Sequence, residues 1–337
     1  MSDPLIFDLG TTELACGITL PTARLAYQVY GELNPAKDNL ILYPTSYGAS
    51  HWDLDWAIGS QSILDPTRYC IVIPNQLGNG LSTSPSNMSA PFTHGNAPAF
   101  SHLDNLSAQD RLLREIFGVE EIALVYGWSM GGQQALHWGA LHPNRVRRIC
   151  ATCTSARTSP HNRLFLESLK AALTADAAWE GTHFTAHPTR GLEAFAIIYA
   201  SWAISQPFYR QEGWREMGFT SRDDFILRAW IGRFAERDPM DLLSMINTWI
   251  ASDISANNTH QGDLEAALRA ITADSIIMPG DHDLYFTLED SEIETAQMPN
   301  AELRPIRSVH GHRAGNPAQS PTDAAFIRKA VTDLLAR

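Results

Sequence analysis

The chain has 337 residues, 44% of them hydrophobic and 18% charged, which is ordinary for a globular protein and enough to build a large buried core. Its 25 Lys and Arg against 37 Asp and Glu give a formal net charge of −12, so no basic stripe is left over to neutralise phosphates, and a nucleic-acid or anionic-membrane partner is not expected. No apolar run reaches the ~18 residues of a membrane span, and Met1-Ser2-Asp3-Pro4 has no leader-like pattern, so a cytoplasmic location is expected.

Residues 13–33 alternate enough to predict an opening antiparallel pair. Short apolar runs follow at Leu40–Tyr43, Tyr69–Pro74, Ile122–Tyr126, Arg148–Thr154 and Ser275–Pro279. Runs of this length suit parallel strands buried on both faces. Helical segments fall between several of them. Ser107-Ala-Gln-Asp110 predicts a cap opening a helix through Phe117, Gln133–Leu141 has helical character, and Ser320-Pro321 predicts the start of a terminal helix to Leu335. Alternating strands and helices imply an α/β fold with a mostly parallel sheet.

One stretch breaks the alternation. Arg163–Leu173, Leu192–Ile204, Asp223–Phe234 and Pro239–Ile250 carry apolar residues at helical spacing with no buried strand between them. This predicts a core domain of residues 1–161 and 268–337, with 162–267 inserted as a helical cap over the sheet's C-terminal edge. The four cysteines, Cys16, Cys70, Cys150 and Cys153, are few and scattered, as expected of reduced thiols. Cys150-Ala-Thr-Cys153 has redox-like spacing but no partner cluster, and reads as buried and structural; no metal site is expected.

The run Leu124-Val125-Tyr126-Gly127-Trp128-Ser129-Met130-Gly131-Gly132 carries the chemistry. A strand ends in Gly-x-Ser-x-Gly and a helix follows, which is the context of a nucleophile elbow with Ser129 at its tip. A serine hydroxyl needs a base, and the base needs an orienting acid; in this arrangement the chain order is Ser, acid, His. After the strand Ile276–Pro279, both Asp281 and Asp283 sit in the right loop; before the last helix, both His310 and His312 do. The oxyanion would be held by the amide of Met130 and by a second amide from Pro44-Thr45-Ser46-Tyr47-Gly48. Tyr47 and Trp128 are candidates to line a substrate pocket.

Taken together, Leu20–Asn34, Asn75-Gln76-Leu77-Gly78-Asn79-Gly80-Leu81-Ser82-Thr83, Trp128-Ser129-Met130-Gly131-Gly132, His142-Pro143-Asn144-Arg145-Val146 and Thr154-Ser155-Ala156-Arg157 resemble the homoserine O-acetyltransferase family of α/β-hydrolase-fold enzymes. The resemblance implies that Asp283, in Asp283-Leu284-Tyr285-Phe286, is the acid, that His312, in Gly311-His312, is the base, and that Ser46 supplies the second oxyanion amide. It also implies a possible homodimer through the cap. Three departures point away from homoserine as substrate. The oxyanion loop reads Pro44-Thr45-Ser46-Tyr47-Gly48 where the family has His-Ala-Leu-Thr-Gly. Lys170 stands where the family's carboxylate-gripping arginine would be, and lysine lacks the flat bidentate fork. Met240–Thr248 lacks the polar residues that recognise an amino acid. With Gly311-His312-Arg313-Ala314-Gly315-Asn316-Pro317, these departures resemble a side branch of acetyl-ester hydrolases. The expected activity is hydrolysis of short-chain esters through an acyl-serine, without a cofactor. The alternative is O-acetyl transfer to homoserine or another hydroxyl compound, with acetyl-CoA as co-substrate.

Overall fold

The computed structural model describes residues 3–337 and, within them, every side chain except that of His94. Eight strands form one sheet: β1 (Leu5–Glu13), β2 (Thr19–Tyr30), β3 (Leu40–Leu42), β4 (Cys70–Pro74), β5 (Leu124–Trp128), β6 (Arg148–Thr152), β7 (Asp274–Met278) and β8 (Ala301–Leu303). Their order is β1-β2-β4-β3-β5-β6-β7-β8. β1–β2 and β2–β4 pair antiparallel, and every other pair is parallel. β3, β4 and β5 are buried along their whole length, as their unbroken apolar runs require of strands covered on both faces.

The opening pair starts earlier than expected. Phe7 and Leu9 alternate with exposed neighbours from Leu5 onward, and Leu14–Gly17 is the turn, closed by Gly17 N–H donating to Leu14 C=O at 2.8 Å. The first helix also starts earlier. α1 (His102–Leu112) is capped at Ser101, whose hydroxyl accepts from the Asp104 amide (3.2 Å) while the Asp104 carboxylate accepts from the Ser101 amide (2.8 Å). This capping box lies upstream of Ser107, which falls inside the helix; starting there adds a turn from which Asn105 Oδ1 accepts from Leu77 N–H at 2.8 Å. α2 (Met130–Leu141) begins immediately after Ser129 rather than at Gln133.

Between β6 and β7 come α3 (Pro160–Thr174), α4 (Thr189–Ala203), α5 (Gln206–Arg210), α6 (Arg222–Phe225), which continues through a π-helical stretch (Ile226–Ile231) into α7 (Gly232–Ala235), and α8 (Pro239–Ile250). Phe165, Phe195, Phe234 and Trp249 from this group share one apolar cluster with Tyr47, Met130, Tyr285 and Phe286 from the sheet side, so the helices close over the end of β5. α9 (Leu264–Ala270) packs elsewhere: Ala267 and Leu268 share a cluster with Trp138 and Ile149. α10 (Leu288–Thr295) and α11 (Pro321–Leu335), capped by Ser320, complete the chain. Among the described residues no helix is long and apolar enough to cross a membrane.

The seam between cap and core holds a buried acid. Asp241, at the start of α8, accepts from Ser86 N–H (3.0 Å) and Ser86 O–H (2.6 Å). Burial raises its pKa to about 7, aided by the nearby Asp238 charge and opposed by the two Ser86 bonds. An acid whose folded pKa lies above its unfolded value favours the folded state most below the unfolded value, and that contribution fades as pH rises through the folded pKa. Thermal melts of the wild type are therefore expected to lose stability between pH 5 and 8 more steeply than those of Asp241→Asn. Parallel melting curves for the two proteins across that range would contradict this.

Candidate active site

β5 delivers Ser129 into a backbone conformation of φ 57° and ψ −126°, the left-handed side that L-residues rarely adopt. The neighbouring glycines make this possible. A Cβ on Gly127 would lie 2.2 Å from the Gly131 carbonyl oxygen, one on Gly131 would lie 2.5 Å from that of Pro44, and one on Gly132 would strike the Thr154 side chain at 2.7 Å. The elbow is therefore built from absent side chains. Thr154 Oγ1 donates to the Ser129 carbonyl at 2.8 Å and holds the turn from the β6 side.

The Pro44–Gly48 loop is tied to the same turn. Ser46 Oγ donates to the Trp128 carbonyl (2.5 Å), Gln134 Nε2 donates to the Thr45 carbonyl (3.1 Å), and Gln76 Nε2 donates to the Ser46 carbonyl (2.9 Å). These bonds tie the loop to the start of α2, where the Met130 amide has no acceptor within its own helix. Two backbone donors at the positive end of a helix dipole suit an oxyanion.

His312 comes from the loop before α11. Its Nε2 lies 3.0 Å from Ser129 Oγ and its Nδ1 lies 2.7 Å from Asp283 Oδ2, with all three residues buried. Asp283 is aimed by its other oxygen, which accepts from the amides of Tyr285 (2.9 Å) and Phe286 (3.2 Å). The geometry thus separates the paired candidates. Asp281 instead takes His282 (2.9 Å), the Ser308 amide (3.0 Å) and Arg307 (3.6 Å), and His310 packs on the Phe208 ring, 5.4 Å between centroids.

Trp128 lies under the histidine rather than in open space. Its Nε1 donates to the His312 carbonyl at 3.1 Å and its ring sits 5.0 Å from the imidazole. Tyr285 (4.4 Å) and Phe286 (5.5 Å) also pack on that imidazole, and Tyr47 and Trp249 continue the aromatic wall at 5.8 Å from each other. Tyr47 O–H donates to the Leu242 carbonyl at 3.3 Å. Lys170 is not brought to the triad. Its ammonium donates to Asn247 Oδ1 at 2.7 Å and lines a 350 Å³ cavity with Trp179 and Met240, whose wall includes none of the three triad residues.

Cys153 was readable only as a buried thiol. Its sulfur shares a 4.8 Å cluster with one donor atom each of Asp283 and His312, a grouping that a metal ion could use. The carboxylate and imidazole atoms are bonded to each other and to Ser129, and burial raises the thiol pKa well above its usual range. The supporting roles of Tyr285 and Phe286 had a signal: they stand two and three residues after Asp283.

Residues 39–310 match the alpha/beta hydrolase fold family. The chain is 38% identical over 313 residues to an ethyl acetate hydrolase of Pseudomonas veronii, covering 91% of this chain and 88% of that one. The crystal structure of an acetylester hydrolase from Corynebacterium glutamicum superposes with a TM-score of 0.96 at 33% identity, covering 99% of this chain and 96% of the other. A homoserine O-acetyltransferase of Chlorobium chlorochromatii is 29% identical over 313 residues, 88% of this chain and 87% of that one. With its sheet order, its Gly-x-Ser-x-Gly turn and these matches, the chain belongs to the alpha/beta hydrolase fold family and is an ester hydrolase of that family.

Proposed function

We propose that this protein hydrolyses short-chain, acetyl-type esters through an acyl-Ser129 intermediate. The observation that carries the proposal is the Ser129–His312–Asp283 relay, at 3.0 and 2.7 Å, enclosed by an aromatic wall. His312 Nε2 takes the Ser129 proton as the oxygen attacks the ester carbonyl. The amides of Met130 and Ser46 hold the tetrahedral oxyanion. His312 then gives the proton to the departing alkoxide, which leaves as the alcohol. Water repeats the attack on the acyl-serine with His312 again as base, releasing the acid and restoring the serine. Asp283 holds the imidazole in the tautomer that accepts at Nε2 and stabilises its charged form.

Tyr285 and Phe286 pack on His312, and Tyr47 and Trp249 join them in one apolar cluster of rigid rings, which favours a small acyl group. The named activities of the relatives at 33–38% identity are hydrolytic. The 29% identity to a homoserine O-acetyltransferase keeps one other reading open, deacylation by an alcohol after acetyl-CoA has loaded Ser129. A cytoplasmic location fits the free cysteines, of which Cys70, Cys150 and Cys153 are buried.

Three measurements test the proposal. Ser129→Ala is expected to lower kcat for p-nitrophenyl acetate by roughly 10⁴–10⁶ while melting like the wild type, and retention of a tenth of the rate would contradict the assigned nucleophile. In a partition assay, the acyl-enzyme is expected to turn over in water at a rate that added homoserine or other alcohols leave unchanged; discharge that depends on one of them would favour the transferase reading. Trp249→Leu opens the wall, and the ratio of kcat/KM for butyrate over acetate esters is expected to rise about tenfold. An unchanged ratio would remove Trp249 from the acyl pocket.

A further inference from the structure

The loop that delivers His312 goes on to place an unpaired cation. The Arg313 guanidinium lies 5.8 Å from the Trp128 ring, and no side-chain hydrogen bond or ion pair reaches it among the described residues. Its surroundings are already positive. Arg233 (3.3 Å) and Arg237 (3.4 Å) share the single carboxylate of Asp53, which also accepts from the Ser50 amide and hydroxyl at 2.8 and 3.0 Å. Asp323, in the first turn of α11, is bonded to Ser308 Oγ at 2.6 Å. Burial, followed by the charge of Arg233, presses the Arg313 pKa down to about 10. Arg313 and Arg233 thus lie within charge range of each other while Asp53 is already shared by Arg233 and Arg237 and Asp323 is held by Ser308, a local arrangement that a ligand anion would relieve.

There is room for that anion. Arg233 and Arg313 both line a 230 Å³ cavity, together with Asn316 and the apolar Phe219, Phe225 and Trp230. A guanidinium fork matches a carboxylate in two parallel bonds, and aromatic walls favour an organic tail over an inorganic ion. The volume is below that of a drug-sized pocket, which limits the ligand to a small acid.

We propose that this cavity is a carboxylate subsite, in which Arg313 and Arg233 hold the head of a small organic acid and Phe219, Phe225 and Trp230 cover its tail. The carboxylate has two chemical sources: the acid released from the ester, or a second, free carboxylate carried by the ester itself. Both sources rest on the esterase reading, whereas binding does not.

The test is calorimetric titration of the full-length Ser129→Ala protein with sodium butyrate at pH 7, against sodium chloride at equal ionic strength. Saturable single-site binding is expected, weakened about tenfold or more both by Arg313→Met and by Ala229→Phe. Ala229 lines the cavity, and its replacement fills the space while leaving both guanidiniums in place. The fold of each variant is checked by its melting curve. Absence of saturable binding, or binding that the two folded variants both retain, overturns the proposal. No turnover enters this measurement, so failure of the esterase reading would be seen separately. With the active enzyme, monoethyl succinate is then compared with diethyl succinate. A preference for the half-ester that Ala229→Phe abolishes assigns the carboxylate to the substrate. Equal turnover of the two, with butyrate inhibition that Ala229→Phe relieves, assigns it to the released acid.

Discussion

The structure depends on holding one serine at a backbone angle its side chain disfavours. Ser129 at φ 57° costs on the order of 1–3 kcal/mol. That cost is tolerated because neighbouring elements leave the turn no alternative. Gly127, Gly131 and Gly132 vacate the space that the β5–α2 crossing occupies, and Thr154 anchors the serine carbonyl from β6. The same crossing pulls the Pro44–Gly48 loop against the elbow, because the Pro44 carbonyl occupies the place where a Gly131 Cβ would be. The strained serine and the Pro44–Gly48 loop are thus set by one packing event.

The remaining groups come from far along the chain and meet the elbow through Trp128. His312 is 183 residues beyond Ser129, and its backbone is fixed by the indole N–H of the residue that precedes the serine. The next residue, Arg313, stacks on that same indole. A single aromatic ring therefore links the strand end, the base and the cation at the neighbouring cavity. The cap supplies the other surface, and its rings merge with Tyr285 and Phe286, whose amides aim the acid. Covering Ser129, His312 and Asp283 in this way places their hydrogen bonds in a low dielectric, where they strengthen.

Much of this was legible in the residues. β3–β7 are short apolar runs that only a doubly covered parallel sheet accommodates, and the elbow combines a motif with the strand and helix it needs. The ambiguities arose where local chemistry is degenerate. Asp281 and Asp283 are both loop acids; the resemblance favours the second, and the turn that presents the Tyr285 and Phe286 amides to it is tertiary and has no local signature. Ser101 and Ser107 both open capping patterns, and burial of the intervening turn decided between them. Lys170 was singled out by the resemblance, as the counterpart of the family's carboxylate-gripping arginine, but such a match does not say which cavity its side chain reaches. Cys153 and Arg313 carry no sequence signal for their placement, since each acquires its role from a loop that folds down on it from elsewhere.

The most direct measurement is rapid-quench mass spectrometry of the wild-type protein mixed with p-nitrophenyl acetate, reading which peptide carries the acetyl group through the first turnovers. The account expects the label on the peptide containing Ser129, formed in a burst and lost at the steady-state rate of hydrolysis. A label on another residue, or steady turnover with no acetyl on that peptide, would contradict it.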